Sequence, residues 1–151
     1  MTMSTTVLAP VAGRALVLAQ VPDPVFSAGM VGPGLAVDPE RGAAEAVAPI
    51  DGQIVKLHAH AFIVAGAGGR GVLVHLGIDT VQLKGTGFRL LAREGDLVSA
   101  GRPIVAWNPA DIEAAGRSPV CPVIALDAAA EAVAALALGP VRAGDELFRW
   151  E

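Results

Sequence analysis

The stretch His58-Ala-His60-Ala-Phe62-Ile-Val-Ala-Gly66-Ala-Gly-Gly-Arg-Gly71-Val-Leu-Val-His75 reads as two short apolar strands joined by a glycine-rich turn. The connection Gly66–Gly71 is suited to a hairpin, which sets the second strand antiparallel beside the first. As a phosphate cradle it fails, because no Gly-Lys-Ser/Thr follows. Side chains alternate across a strand, so His58, His60 and Phe62 are expected on one face. His60 and His75 then fall on neighbouring strands, within side-chain reach. A single histidine on an apolar strand is usually a packed one. Two, delivered toward one spot, point to chemistry.

The same punctuation continues outward. Eighteen Gly and eleven Pro separate short apolar runs, the pattern of an all-β domain. Runs of strand length lie at Arg14–Leu18, Gly34–Val37, Gln53–Leu57, Ala61–Ala65, Gly71–His75, Pro103–Trp107, Val120–Leu126 and Glu146–Trp150. Helix signals are few. Asp111-Ile-Glu-Ala-Ala predicts a turn or two before Gly116, and Asp127 is placed to cap a helix over Ala128–Leu138 that stops at Gly139-Pro140. The chain also repeats itself. Ala9-Pro-Val-Ala-Gly13 is matched by Ala48-Pro-Ile-Asp-Gly52, and Ala100-Gly-Arg-Pro-Ile-Val-Ala-Trp107 by Ala143-Gly-Asp-Glu-Leu-Phe-Arg-Trp150. Each unit is a turn feeding a strand. Two interleaved pairs indicate a duplicated β motif; a solenoid would need at least three units.

Composition bounds the function. The length of 151 residues suits one domain, and its 53% hydrophobic residues are mostly small and aliphatic, with four Phe, two Trp and no Tyr. A net charge of −4 without a basic run argues against nucleic acid. Cys121, the lone cysteine, has no internal disulfide partner, which suits a reducing cytoplasm; among Pro119, Val120, Pro122 and Val123 it reads as a buried structural thiol. No apolar run is long enough to span a bilayer, and no signal-peptide pattern opens the chain. The expectation is a soluble, cytoplasmic protein.

Neighbouring imidazoles among aliphatic side chains have three uses. They bind metal, act as acid and base, or divide a phosphoryl transfer between a nucleophile and a group that steers it. The last suits these surroundings, because desolvation by Val, Leu and Phe keeps a nucleophilic nitrogen unprotonated. The rival is a zinc site or zinc-dependent peptidase: His58-x-His60 and His75-x-x-x-Asp79 are both ligand spacings. Lysostaphin-type peptidases carry such motifs in the opposite order. Arg93-Glu-Gly-Asp-Leu-Val98 resembles the second half of a biotinyl or lipoyl carrier, but Lys56 and Lys84 lack the flanks of an attachment lysine.

Val74-His-Leu-Gly-Ile-Asp-Thr-Val-Gln-Leu-Lys-Gly-Thr-Gly-Phe88 resembles the phosphorylation-site signature of the glucose-type IIA proteins of the bacterial sugar phosphotransferase system. The likeness runs from Val7 to Trp150 and includes Val21-Pro-Asp-Pro-Val-Phe26, Met30-Val-Gly-Pro-Gly34, Ala48-Pro-Ile-Asp-Gly52 and His60-Ala-Phe62. It implies an all-β antiparallel sandwich or barrel with a duplicated hybrid motif and one or two short helices, filling 7–151 after a short flexible segment 1–6. It implies a phosphotransferase component in which His75 accepts a phosphoryl group on Nε2 from phospho-HPr and passes it to a cysteine of the IIB domain of a sugar permease. His60 would hydrogen-bond that group and serve onward transfer, with Asp23 and Asp79 flanking the site. Val25, Phe26, Val31, Phe62, Leu73 and Val81 match the apolar rim on which partners dock. The resemblance demands no cofactor, although zinc is recruited at such a histidine pair when a partner supplies a carboxylate. Regulation of permeases or metabolic enzymes through the phosphorylation state is compatible with it.

The chain departs from the pattern before His60. The family has a threonine two residues before this histidine, where this chain has His58, and the stretch from Gly52 to His60 is two residues shorter. His58 is therefore expected either to replace the threonine's hydrogen bond or to point to solvent. The family's occasional membrane-associating tail is not expected.

Overall fold

The computed structural model describes residues 4–151. Fourteen strands and two short helices follow one another: β1 (Thr5–Leu8), β2 (Gly13–Val17), α1 (Pro24–Ser27), β3 (Gly34–Pro39), β4 (Ala44–Val47), β5 (Gly52–His58), β6 (Ala61–Ala65), β7 (Gly71–His75), β8 (Arg89–Leu90), β9 (Leu97–Val98), β10 (Pro103–Trp107), α2 (Pro109–Ala114), β11 (Cys121–Ala125), β12 (Val133–Ala134), β13 (Gly139–Val141) and β14 (Glu146–Trp150). All pairings are antiparallel. The largest sheet runs β13-β2-β3-β11-β7-β6-β5-β9, and two three-stranded sheets run β1-β14-β12 and β4-β10-β8. The all-β expectation holds.

The duplication seen in the sequence is a duplication of contacts. Ala9 N donates to Asp145 O and Gly144 N donates to Ala9 O; in the same way Ala48 N donates to Arg102 O and Gly101 N to Ala48 O. Each Ala-Pro turn is thus clasped by one Ala-Gly turn. Gly13 and Gly52 open the equivalent strands β2 and β5, and at both a side chain would strike a carbonyl of the paired strand, Asp38 O at 2.1 Å and Ala65 O at 2.2 Å. Close approach of backbones explains why glycine recurs at that point of both units.

The main core lies between the large sheet and the two small ones, and includes Val7, Ile54, Phe62, Val64, Val72, Val74, Ile104, Trp107, Leu147 and Phe148. On the other face of the large sheet a smaller cluster packs Val21, Phe26, Ala36, Ile78 and Ile124 beneath α1. Cys121 is fully buried, and burial pushes its thiol pKa well up. It is a structural residue.

Two expectations are corrected. Ala128–Leu138 is no helix: a single 3-10 turn, Ala130–Ala132, leads into β12, where Val133 pairs with Trp150. Asp127 has φ of 58° and sits in left-handed backbone, not the extended backbone of an N-cap. Pairing with β14 overrides the helix propensity of the alanines. At the start of the chain, Thr5 and Thr6 already belong to β1 and pair with Trp150 and Arg149, so an unstructured segment does not reach residue 6. The remainder of that segment, residues 1–3, lies outside the described residues. Among the described residues no helix is long and apolar enough to cross a membrane.

Candidate functional site

Alternation along β7 decides which way its histidine faces. Val72 and Val74 are fully buried in the main core, so Leu73 and His75 project from the opposite face. Ala61 pairs with His75 across the β6–β7 hairpin. His58 to Phe62, however, is not one strand. His58 ends β5, Ala59 and His60 form a two-residue turn, and β6 starts at Ala61. Phe62 consequently points into the core, fully buried, away from the histidines. The turn is fastened to the exit of β7, where Leu76 N donates to His60 O at 2.7 Å.

The three rings still meet. His60 and His75 stand edge to face with centroids 5.3 Å apart and planes at 66°. Phe26, brought in by α1, lies 5.4 Å from the His75 ring. His58 is exposed and stacks on His60 at 5.6 Å with planes at 19°. Among the described residues no side-chain hydrogen bond joins His58 to His60.

Among the described residues one hydrogen bond holds the His75 ring. Its Nδ1 lies 2.5 Å from Gly77 O. A carbonyl only accepts, so Nδ1 carries the proton and Nε2 carries the free lone pair. Gly77 reaches this position at φ of +83°, and a side chain there would meet Thr80 Cγ2 at 2.7 Å and Ser118 O at 3.0 Å. Both the backbone angle and the space call for glycine.

Burial pushes the His75 imidazole below its ordinary pKa of 6.5, opposed by the Gly77 carbonyl and the charges of Asp23 and Asp79. The His60 imidazole is also below 6.5, through burial and then through repulsion by His75 and His58. Both rings are therefore neutral at pH 7. The sign for stability follows: a histidine with a lowered folded pKa stabilises fully above its unfolded pKa, and that contribution is lost as pH falls through about 6.5 toward the folded value. Proton NMR titration should place the midpoints of His60 and His75 below 6.5. A midpoint of 6.5 or higher for His75 would show that the Gly77 carbonyl and the two carboxylates outweigh burial.

The flanking residues divide. Asp23 caps α1, accepting from Val25 N at 2.8 Å. Asp79 is exposed in left-handed backbone at φ of 58°, and its side chain makes no capping hydrogen bond. The proposed rim is also uneven. Val25 and Val81 are exposed and Val31 and Leu73 half-buried, all available to a partner; Phe26 is buried against His75, and Phe62 belongs to the core. Among the described residues no group of three or more His, Cys, Asp or Glu side chains is arranged to hold a metal ion, so His58, His60, His75 and Asp79 do not converge as a ligand set. Sequence reasoning missed Thr80, which is fully buried beside Gly77.

Comparison with known proteins agrees with this geometry. Residues 5–130 match the family model for the phosphoenolpyruvate-dependent sugar phosphotransferase system, EIIA 1. The chain is 40% identical to a "PTS system glucose-specific EIIA component" of Oceanobacillus iheyensis over 121 residues, covering 79% of this chain and 72% of that protein. It is 36% identical over 144 residues to a "PTS system glucoside-specific EIICBA component" of Staphylococcus carnosus, covering 94% of this chain but 20% of that much longer relative. The solved glucose permease IIA from Mycoplasma capricolum superposes with a TM-score of 0.92 at 29% identity, covering 99% of this chain and 97% of that one. These matches leave the zinc-peptidase alternative without support. A β-sandwich that carries two neutral imidazoles at the end of a hairpin is thus placed by sequence and by shape alike: the chain belongs to the EIIA 1 family of the phosphoenolpyruvate-dependent sugar phosphotransferase system and is a phosphotransferase component of it.

Proposed function

We propose that His75 accepts the phosphoryl group on Nε2, from phospho-HPr in the cytoplasm, and passes it to a cysteine of the IIB domain of a sugar permease. The observation that carries this reading is the His75 Nδ1–Gly77 O hydrogen bond, which leaves Nε2 as the free lone pair. In the first step that lone pair forms the P–N bond while the bond from phosphorus to the donor breaks, its electron pair leaving with the donor. Nδ1 keeps its proton, and the Gly77 carbonyl stabilises the positive character that develops in the ring. In the second step a thiolate attacks phosphorus and the P–N pair returns to Nε2. Positioning and electrostatics supply most of such a transfer.

His60, 5.3 Å away and neutral, is placed to donate one hydrogen bond to the transferred group. A neutral donor steadies the phosphoryl group without the deep trap that an imidazolium would create. Asp23 and Asp79 repel a phosphohistidine and so turn outward, toward cationic groups of a partner. Val25, Val31, Leu73 and Val81 are the residues on which that partner docks. The fusion named in the Staphylococcus carnosus relative, which joins A, B and C components, supports a IIB partner. Zinc at His60 and His75 requires a further ligand from such a partner.

His58 orients His60 by stacking in place of a hydrogen bond. A His58→Ala protein should accept phosphate normally and transfer it about two- to tenfold more slowly, the range expected for one aromatic contact. Quench-flow transfer to a IIB domain at the wild-type rate would instead assign His58 to solvent. The reading as a whole is tested by phosphorylation from phosphoenolpyruvate through enzyme I and HPr, with His75 variants as controls.

A further inference from the structure

Thr80 is the one buried polar side chain among the described residues, with no accessible surface, and it lies five residues beyond His75. Its Oγ1 donates to Leu76 O at 2.8 Å. The groups on either side of that carbonyl are held as well. Leu76 N donates to His60 O at 2.7 Å, and Gly77, the next residue, offers its own carbonyl to His75 Nδ1 at 2.5 Å. One residue further, Ile78 N donates to Ser118 O at 2.9 Å, so the loop is tied down at each successive residue. Thr80 and Gly77 also interlock sterically: the Thr80 methyl stands where a side chain at Gly77 would begin, 2.7 Å from the position of that missing carbon.

We propose that Thr80 is a positioning residue for phosphoryl acceptance: by fixing the Leu76 carbonyl it aims the adjacent Gly77 carbonyl at His75 Nδ1 and so selects the tautomer whose lone pair is on Nε2. The consequence for chemistry rests on the reading of His75 as phosphoacceptor; the tautomer claim itself does not. Left to itself in water, a histidine ring favours the opposite tautomer, with the proton on Nε2 and no nucleophile there. A buried hydroxyl that makes one hydrogen bond is costly to keep unless the bond it makes is wanted. Here the bond acts on the residue that links the two histidines, since Leu76 follows His75 directly, holds His60 O through its N–H and meets the Thr80 hydroxyl through its carbonyl. Thr80 never approaches the phosphoryl group itself, so its effect has to be read in the state of the His75 ring.

Two variants separate this role from packing. Thr80→Val keeps the branched shape and removes the hydroxyl; Thr80→Ser keeps the hydroxyl and removes the methyl. Nitrogen-15 NMR of the imidazoles at pH 8, where both rings are neutral, reports the tautomer directly. Wild type and Thr80→Ser should show His75 protonated on Nδ1 alone, whereas Thr80→Val should show a mixture with the Nε2–H form. Thr80→Val should also accept phosphate from phospho-HPr roughly tenfold more slowly, the effect of one lost hydrogen bond, with Thr80→Ser close to wild type. A Thr80→Val ring that stays wholly Nδ1–H overturns the proposal. So does a Thr80→Ser ring that shifts as far as the valine variant, because the methyl would then be the cause. Should Thr80→Val fail to fold, Thr80→Ala, which also lacks the hydroxyl, takes its place, and a ring that stays wholly Nδ1–H in it overturns the proposal. Absence of phosphate on wild type would remove the role of His75 and leave the tautomer comparison standing.

Discussion

His75→Gln should take up no phosphate from phosphoenolpyruvate, enzyme I and HPr under conditions that label the wild-type chain fully. Glutamine matches the imidazole in length and polarity, and its amide has no nucleophilic nitrogen, because that lone pair is delocalised into the carbonyl. The substitution should leave the fold intact. His75 is half-buried at the end of β7, and the backbone bonds that hold the strand, from Ala61 through Leu76, do not involve its ring. The loss should be complete, since the alternative nucleophiles are poorly placed. Cys121 is fully buried with a raised thiol pKa, and among the described residues no hydrogen bond fixes which nitrogen of the His60 ring is free. Residual labelling at a level above background would move the acceptor to His60 or His58.

His60→Gln should separate the two half-reactions. On the proposed reading, acceptance on His75 rests on the Nδ1–Gly77 O bond and on burial of the ring, both of which should survive the substitution. Onward transfer depends on a donor that follows the phosphoryl group as it leaves. Loss of that group should slow transfer to a IIB domain roughly a hundredfold or more, the scale of one positioned acid or hydrogen-bond donor. The expected result is a chain that stays phosphorylated in the presence of acceptor. Rapid-quench measurement of each half-reaction checks it; equal losses in both steps would show that His60 shapes the acceptor instead of steering the leaving group.

Much of this arrangement was legible in the residues alone. Ala61–Ala65, Gly71–His75, Pro103–Trp107 and Glu146–Trp150 are strands with the very limits read from sequence, because each is a β-rich run with Gly, Pro or a charged residue at or beside at least one of its ends. Ala44–Val47 was invisible: its alanines have no strand preference, and pairing with β10 makes the strand. The two-residue strands β8, β9 and β12 are too short to show a period. At the site, the alternation of His58, His60 and Phe62 mimicked a strand, whereas the chain turns at Ala59-His60 without a Gly, Asn or Pro to announce it. The His60–His75 juxtaposition was correctly anticipated although that intermediate step was wrong, since the hairpin register alone brings the turn beside His75. Thr80 gave no signal because threonine in a loop is ordinarily a surface residue.

The most direct measurement is phosphorus-31 NMR of the wild-type chain after incubation with phosphoenolpyruvate, enzyme I and HPr. One acid-labile, base-stable phosphoryl group per chain, bonded to Nε2 of His75, is the predicted result. A wild-type chain that remains unlabelled, or that carries its phosphate on any other atom, would contradict it.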